Sequence, residues 1–128
     1  MPVRYVIDQE RRLVTTIGYE HVTLADVKAH EEQLASDPAF NAEFNQLIDA
    51  TAVTSWDVSV EDTKLIARQT FFSPTSRRAF VATNPAIFGM GRLMAAHHEM
   101  ATRNEEQVCV FYELEQALRW LGLNALPR

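Results

Sequence analysis

Seven residues with polar or aromatic side chains cluster after two strand-like segments. Asp49, Thr51, Ser55, Trp56 and Ser59 follow the segment Asn45 to Asp49, and Thr83 and Asn84 follow Arg78 to Ala82. Open α/β sheets bind ligands outside the carboxyl ends of their strands. Ser59 and Asn84 also precede helical segments, whose first N–H groups suit an anion. The competing reading is structural: Ser59 and Asn84 are ordinary caps and Asp49 ends its strand. If the chain were an enzyme with a site assembled only in three dimensions, Asp49, Trp56, Asn84 and His97 or His98 would be its members.

No sequential motif supports catalysis. There is no nucleophile elbow, P-loop or dinucleotide fingerprint. Gly89 and Gly91 lie inside a helical segment and lack the third glycine. The acidic pairs Glu31–Glu32 and Glu105–Glu106 are adjacent on solvated faces, which does not suit opposed acid and base roles. His97 and His98 are neighbours, so on a helix they point about 100° apart and cannot share a metal. His30 stands beside Glu31 and Glu32 on the first helix, on a polar face or as one satisfied histidine. Cys109 lies mid-strand between Val108 and Val110 and reads as a buried structural thiol. We expect no catalytic residues, no metal and no cofactor.

A second candidate is apolar. Ile87, Phe88, Met90, Leu93 and Met94 crowd a turn and a half of the third helix, together with Gly89 and Gly91. They cover too much of the circumference for a one-sided surface helix. The glycines allow a neighbouring backbone to come close. Phe71 and Phe72, at the end of the second helix, extend the same patch. Either the face is internal, or it meets a protein partner, a second copy in a homodimer, or a small apolar ligand.

The elements that must position these residues follow from periodicity and punctuation. Arg4 to Asp8 and Leu13 to Gly18 are rich in β-formers and joined by a polar Gln9-Glu-Arg-Arg12, so they read as a hairpin ending at Gly18. Thr23 and Asp26 form a capping box for a helix that stops before Pro38. Phe40 and Phe44 then pack a short turn inward. Asn45 to Asp49 is a short strand, and Ala50 to Asp57 a polar connection. Ser59 and Asp62 cap a helix from Val60 to Thr70. Asn84 caps and Pro85 opens the third helix, which runs to about Arg103. Gln107 to Phe111 is the last strand, and Leu114 to Leu121 the last helix, closed by Gly122. Strands alternating with helices predict a mixed, mostly parallel five-stranded α/β sheet with helices packed on it and an opening β-hairpin.

Composition narrows the class. The 128 residues suit one domain spanning 1–128. One cysteine excludes a disulfide framework. The net charge of −5, with only two lysines among twelve basic residues, leaves no field for nucleic acid. No signal core or membrane-length apolar run occurs, so a soluble cytoplasmic protein is expected.

In order and spacing, these segments resemble the SpoIIAA-like domains, relatives of the STAS (anti-sigma-factor antagonist) fold. The carrying residues are the hairpin ending at Gly18, Leu47-Ile-Asp49, Arg78-Ala-Phe-Val81 and Phe88-Gly-Met-Gly-Arg-Leu-Met94. Val108-Cys-Val-Phe111 with Glu115-Gln-Ala-Leu-Arg-Trp-Leu121 completes the set. The resemblance implies a regulatory or binding module that pairs with proteins or takes small or lipid-like ligands. It also implies a phosphorylated serine after the third strand, in an Asp-Ser-Ser-Gly-like context. Here Asp49 is followed by Ala50-Thr-Ala-Val-Thr-Ser-Trp-Asp57, without glycine or a serine pair. A phosphoswitch would fall to Ser55 or Ser59.

Overall fold

The computed structural model describes residues 2–68, 71–104 and 107–123. Its elements are β1 (Val3–Asp8), β2 (Leu13–Thr23), α1 (Leu24–Ser36), β3 (Asn45–Asp57) and α2 (Val60–Arg68), then β4 (Arg78–Val81), α3 (Pro85–Thr102), β5 (Val108–Phe111) and α4 (Leu114–Trp120). The five strands lie in the order β1-β2-β3-β4-β5. β1 and β2 are antiparallel and every later pair is parallel. The mixed α/β sheet and its opening hairpin are therefore as the sequence predicts.

Each parallel step crosses the sheet in the same direction. Right-handed crossovers then put α1, α2 and α3 on one face. α4 covers the other, where Ala117, Leu118 and Leu121 pack on Leu13, Leu47, Ala79 and Val81. The helix starts obey their sequence signals. Thr23 Oγ1 accepts from the Asp26 N–H at 3.3 Å, and Asp26 Oδ2 accepts from the Thr23 N–H at 2.9 Å. Asn84 Oδ1 accepts from the Ala86 N–H at 2.9 Å. Ser59 Oγ accepts from the Asp62 N–H at 3.1 Å. The expected last residues of the second helix, 69 and 70, lie outside the described residues.

Two boundaries differ from expectation. β2 does not end at Gly18 but runs to Thr23, and β3 does not end at Asp49 but runs to Asp57. The segment Ala50 to Asp57 is polar because one side of it faces solvent, yet it carries the β-formers Thr51, Val53, Thr54 and Trp56 and pairs with Tyr19 to Thr23. Gly18 is a close approach rather than a stop: a Cβ there would stand 3.0 Å from Val53 Cγ2. The pairing slips between Ile17 and Tyr19 and again between Glu20 and His21, with Glu20 at φ 57. β2 and β3 thus project as a ribbon past the shorter β4 and β5.

The wide apolar surface of α3 is largely turned inward. Ile87, Gly91 and His98 are buried. His98 lies between two acceptors, with Nδ1 3.1 Å from the Ala67 carbonyl and Nε2 2.8 Å from Gln107 Oε1. This ties α3 to α2 and to the start of β5. Gly91 sits on Phe80, where an added Cβ would lie 2.6 Å from Cδ1 of the ring, whereas nothing lies within 4 Å of a Cβ at Gly89. The two glycines should therefore respond oppositely to alanine. Gly89→Ala gains helix propensity of up to about 1 kcal/mol. Gly91→Ala gains the same but drives a methyl into a packed ring, at about 1–3 kcal/mol. Chemical denaturation should find the first variant more stable than the parent and the second less stable. Equal stabilisation would show that α3 does not rest on Phe80.

Candidate ligand-binding site

Strand alternation puts Thr16 of β2, Gln46 and Ile48 of β3, and Arg78 and Phe80 of β4 on the face covered by the first three helices. α1 packs over β1 and β2, while α2 and α3 pack on each other and α3 reaches β5. Between these two blocks lies a cavity of about 120 Å³. Its apolar wall includes Val22, Val53, Phe80, Ile87 and Met94, and its polar end gathers Thr16, His30, Glu31, Gln46 and Arg78. A smaller cavity of about 40 Å³ shares Ile48, Ile66, Arg78, Phe80 and Met94. Phe71 and Phe72 close the first cavity toward the α1 side, stacked at 5.2 Å and joined by Phe40 edge-on.

The polar end is a directed chain of hydrogen bonds. Arg78 Nε donates to Gln46 Oε1 at 3.1 Å, and Gln46 Nε2 donates to Thr16 Oγ1 at 2.9 Å. Thr16 Oγ1 lies 3.3 Å from His30 Nε2. The Arg78 guanidinium also sits 4.9 Å from the centre of the Phe72 ring. Among the described residues no carboxylate stands at ion-pairing distance from Arg78. His30 Nδ1 is buried without a hydrogen-bond partner.

Burial dominates the electrostatics. It lowers Arg78 to about 10, partly offset by the charge of Glu31. Burial, and then the charge of Arg78, lowers His30 from 6.5 to about 4. Burial raises Glu31, against the opposing pull of Arg78 and Lys28.

The residues expected at the strand rim divide. Trp56 lines the cavity, and its Nε1 donates to Thr63 Oγ1 at 3.2 Å. Asp49 is not at a strand end. It sits mid-β3 on the opposite face from the cavity, and its Oδ1 accepts from the Thr51 N–H at 3.0 Å and the Thr51 hydroxyl at 2.6 Å. Thr51, Thr83, Ser59 and Asn84 are exposed. Ser55 Oγ meets His21 Nδ1 at 2.8 Å, and His21 Nε2 lies 3.5 Å from Asp57. That Ser–His–Asp chain stands in solvent, with His21 56% and Asp57 73% exposed, and none of the three lines the cavity. On α3, Ile87 and Met94 face the cavity. Phe88 instead stacks on Tyr112 at 3.7 Å, and Met90 and Leu93 are half-buried. Cys109 is half-buried on β5 rather than buried. Among the described residues no cluster of three His, Cys, Asp or Glu side chains is placed to hold a metal.

Arg78, Gln46 and Thr16 were not singled out by spacing, and Glu31, expected on a solvated face, is half-buried and lines the cavity instead. The available signal was period two: Arg78 shares a face with Phe80, and Gln46 with Ile48, so each polar residue is bound to point where its apolar neighbour points.

Among solved structures, this chain matches an uncharacterised protein of the DUF3478 family from Shewanella loihica PV-4, described as having a SpoIIAA-like fold. The TM-score is 0.56, with 17% identity, over 93% of this chain and 91% of that one. This chain has a SpoIIAA-like fold. At this identity the likeness concerns the fold alone. No family model matches the sequence, and no curated protein matches it. Within the SpoIIAA-like fold described here, no helix among the described residues is long and apolar enough to cross a membrane.

His30 makes the site measurable through stability. Its folded value of about 4 lies below the ordinary 6.5. Between those values the unfolded chain binds a proton that the folded chain refuses. This contribution to stability is complete above pH 6.5 and is lost as the pH falls toward 4. Glu31, shifted up, works with the opposite sign above its ordinary value of 4.5. His30→Gln should therefore lose less stability than the parent between pH 7 and pH 5, by about 1–2 kcal/mol. Urea titrations at the two pH values check this, and parallel losses would mean that His30 is not held neutral.

Proposed function

We propose that this SpoIIAA-like chain is a non-catalytic binding module that encloses a small apolar ligand between α1 and the α2–α3 pair. The carrying observation is the cavity of about 120 Å³ with an apolar wall of Val22, Val53, Phe80, Ile87 and Met94. An apolar space of roughly 150 Å³ in a protein interior takes up benzene, so this one fits a ligand of comparable bulk. Empty, such a space forfeits the dispersion contacts of its lining.

The other readings draw less support. The inward residues of α3 find their contacts within the chain, and Phe88 lies on Tyr112, so a protein partner or second copy is not needed to cover them. An enzyme of Asp49, Trp56, Asn84 and His97 or His98 would need these groups to converge. Asp49 and Trp56 instead occupy opposite sides of β3, and His98 is engaged by Ala67 and Gln107. None of Ser55, His21 and Asp57 lines either cavity described above. Ser59 is engaged as the α2 cap, which argues against it as a phosphate acceptor.

Methyl NMR tests the binding reading directly. Toluene or hexan-1-ol should produce saturable shifts at Ile48, Ile87 and Met94. Ala50→Leu, which adds bulk to the cavity floor, should weaken binding at least tenfold while the protein stays folded. Shifts that never saturate, or an Ala50→Leu protein that binds as the parent does, would remove the reading.

A further inference from the structure

Glu31 brings a carboxylate to the polar end of the cavity, but among the described residues no carboxylate stands at ion-pairing distance from Arg78. Arg78 is the fixed point, because a guanidinium only donates. It therefore turns the oxygen of Gln46 toward itself and the nitrogen of Gln46 toward Thr16. The Thr16 oxygen receives that hydrogen and lies 3.3 Å from His30 Nε2. The other ring nitrogen of His30, Nδ1, is buried without a hydrogen-bond partner. At the other end of the chain, Gln46 engages Nε of the Arg78 guanidinium, and Arg78 lines the cavity. Phe72 offers the guanidinium a ring face, and no carboxylate of the described residues reaches ion-pairing distance. A cation withdrawn from water is costly unless it is paired.

We propose that the ligand of this cavity is a small apolar monocarboxylate, its carboxylate seated on the free edge of the Arg78 guanidinium and its apolar body along Phe80, Ile87 and Met94. The proposal rests on the binding reading above and adds the chemistry of the head group. A carboxylate is an acceptor-only, planar group that matches the guanidinium fork with two parallel hydrogen bonds. The apolar body lies where the lining is apolar, and the smaller cavity beyond Met94 gives a longer chain room to continue. Glu31, on the α1 wall, is the one acidic side chain lining the cavity and opposes an anion there. Its charge sets how strongly the carboxylate is favoured.

The test compares hexanoate with hexan-1-ol at neutral pH, read from the Ile48, Ile87 and Met94 methyl shifts. Hexanoate should bind about tenfold more tightly. Glu31→Gln should widen that ratio severalfold, and Arg78→Met should bring it near one. The parent comparison stands on its own if Arg78→Met fails to fold. Hexan-1-ol binding as tightly as hexanoate, or a ratio that Glu31→Gln leaves unchanged, overturns the carboxylate assignment while the apolar cavity stands. Binding of neither compound overturns the binding reading and this inference with it.

Discussion

Three helices have to share one face of a narrow sheet. β2, β3, β4 and β5 are added in chain order, each parallel to the last, so every crossover turns to the same side. α1 enters beside the hairpin and packs on β1 and β2. α2 and α3 arrive later, pack on one another, and α3 anchors on β5. The two blocks are held apart by the strands they belong to, and the uncovered floor between them is β3 with its neighbours. The cavity is thus a consequence of topology. What the side chains decide is whether that gap is filled, and here Ala50, Gly18 and Thr16 leave it open where larger residues would close it.

The second constraint is the charge at the bottom of the gap. Arg78 begins β4, and its register opposite Gln46 is set by the parallel ladder, so its side chain is directed to the cavity face, where it is half-buried. The protein answers with one hydrogen bond, one aromatic ring and a distant acid. Each is weaker than a direct ion pair. Gln46 takes its orientation from the guanidinium, and at the far end of the network His30 Nδ1 is buried without a partner. The low value of His30 follows from the same arrangement, since a second positive charge in the same desolvated place is the state it excludes.

Most of the architecture was legible because it rests on local rules. The capping box at Thr23, the Asn84-Pro85 start and the stop before Pro38 depend only on backbone groups needing partners, and each appears in place. The ends of β2 and β3 were not legible. Gly18 and the polar run after Asp49 carry the marks of loops, but each strand is the other's partner over that stretch, and a long-range pairing outweighs local preference. Misplacing the end of β3 carried Asp49 to a rim it does not occupy. Trp56, Phe71 and Phe72 do line the cavity, because large aromatic side chains in a half-polar segment have few places to go. Arg78 stayed hidden in Arg78-Ala-Phe-Val81, where it reads as the polar start of a strand. Only the three-dimensional register shows that its side of β4 lines the cavity.

Burial and exposure divide the ionisable groups of this chain between the two sides of β3. On the cavity side, burial lowers His30 and Arg78 and raises Glu31. The side chains that do have a nucleophile, a base and an acid in sequence, Ser55, His21 and Asp57, lie on the outer surface of the ribbon, where water competes for every contact. Enclosure and proton-transfer chemistry therefore fall on different sides of β3. The β2–β3 ribbon, the inward face of α3 and the arginine at the start of β4 converge on one cavity with an apolar wall and a polar end.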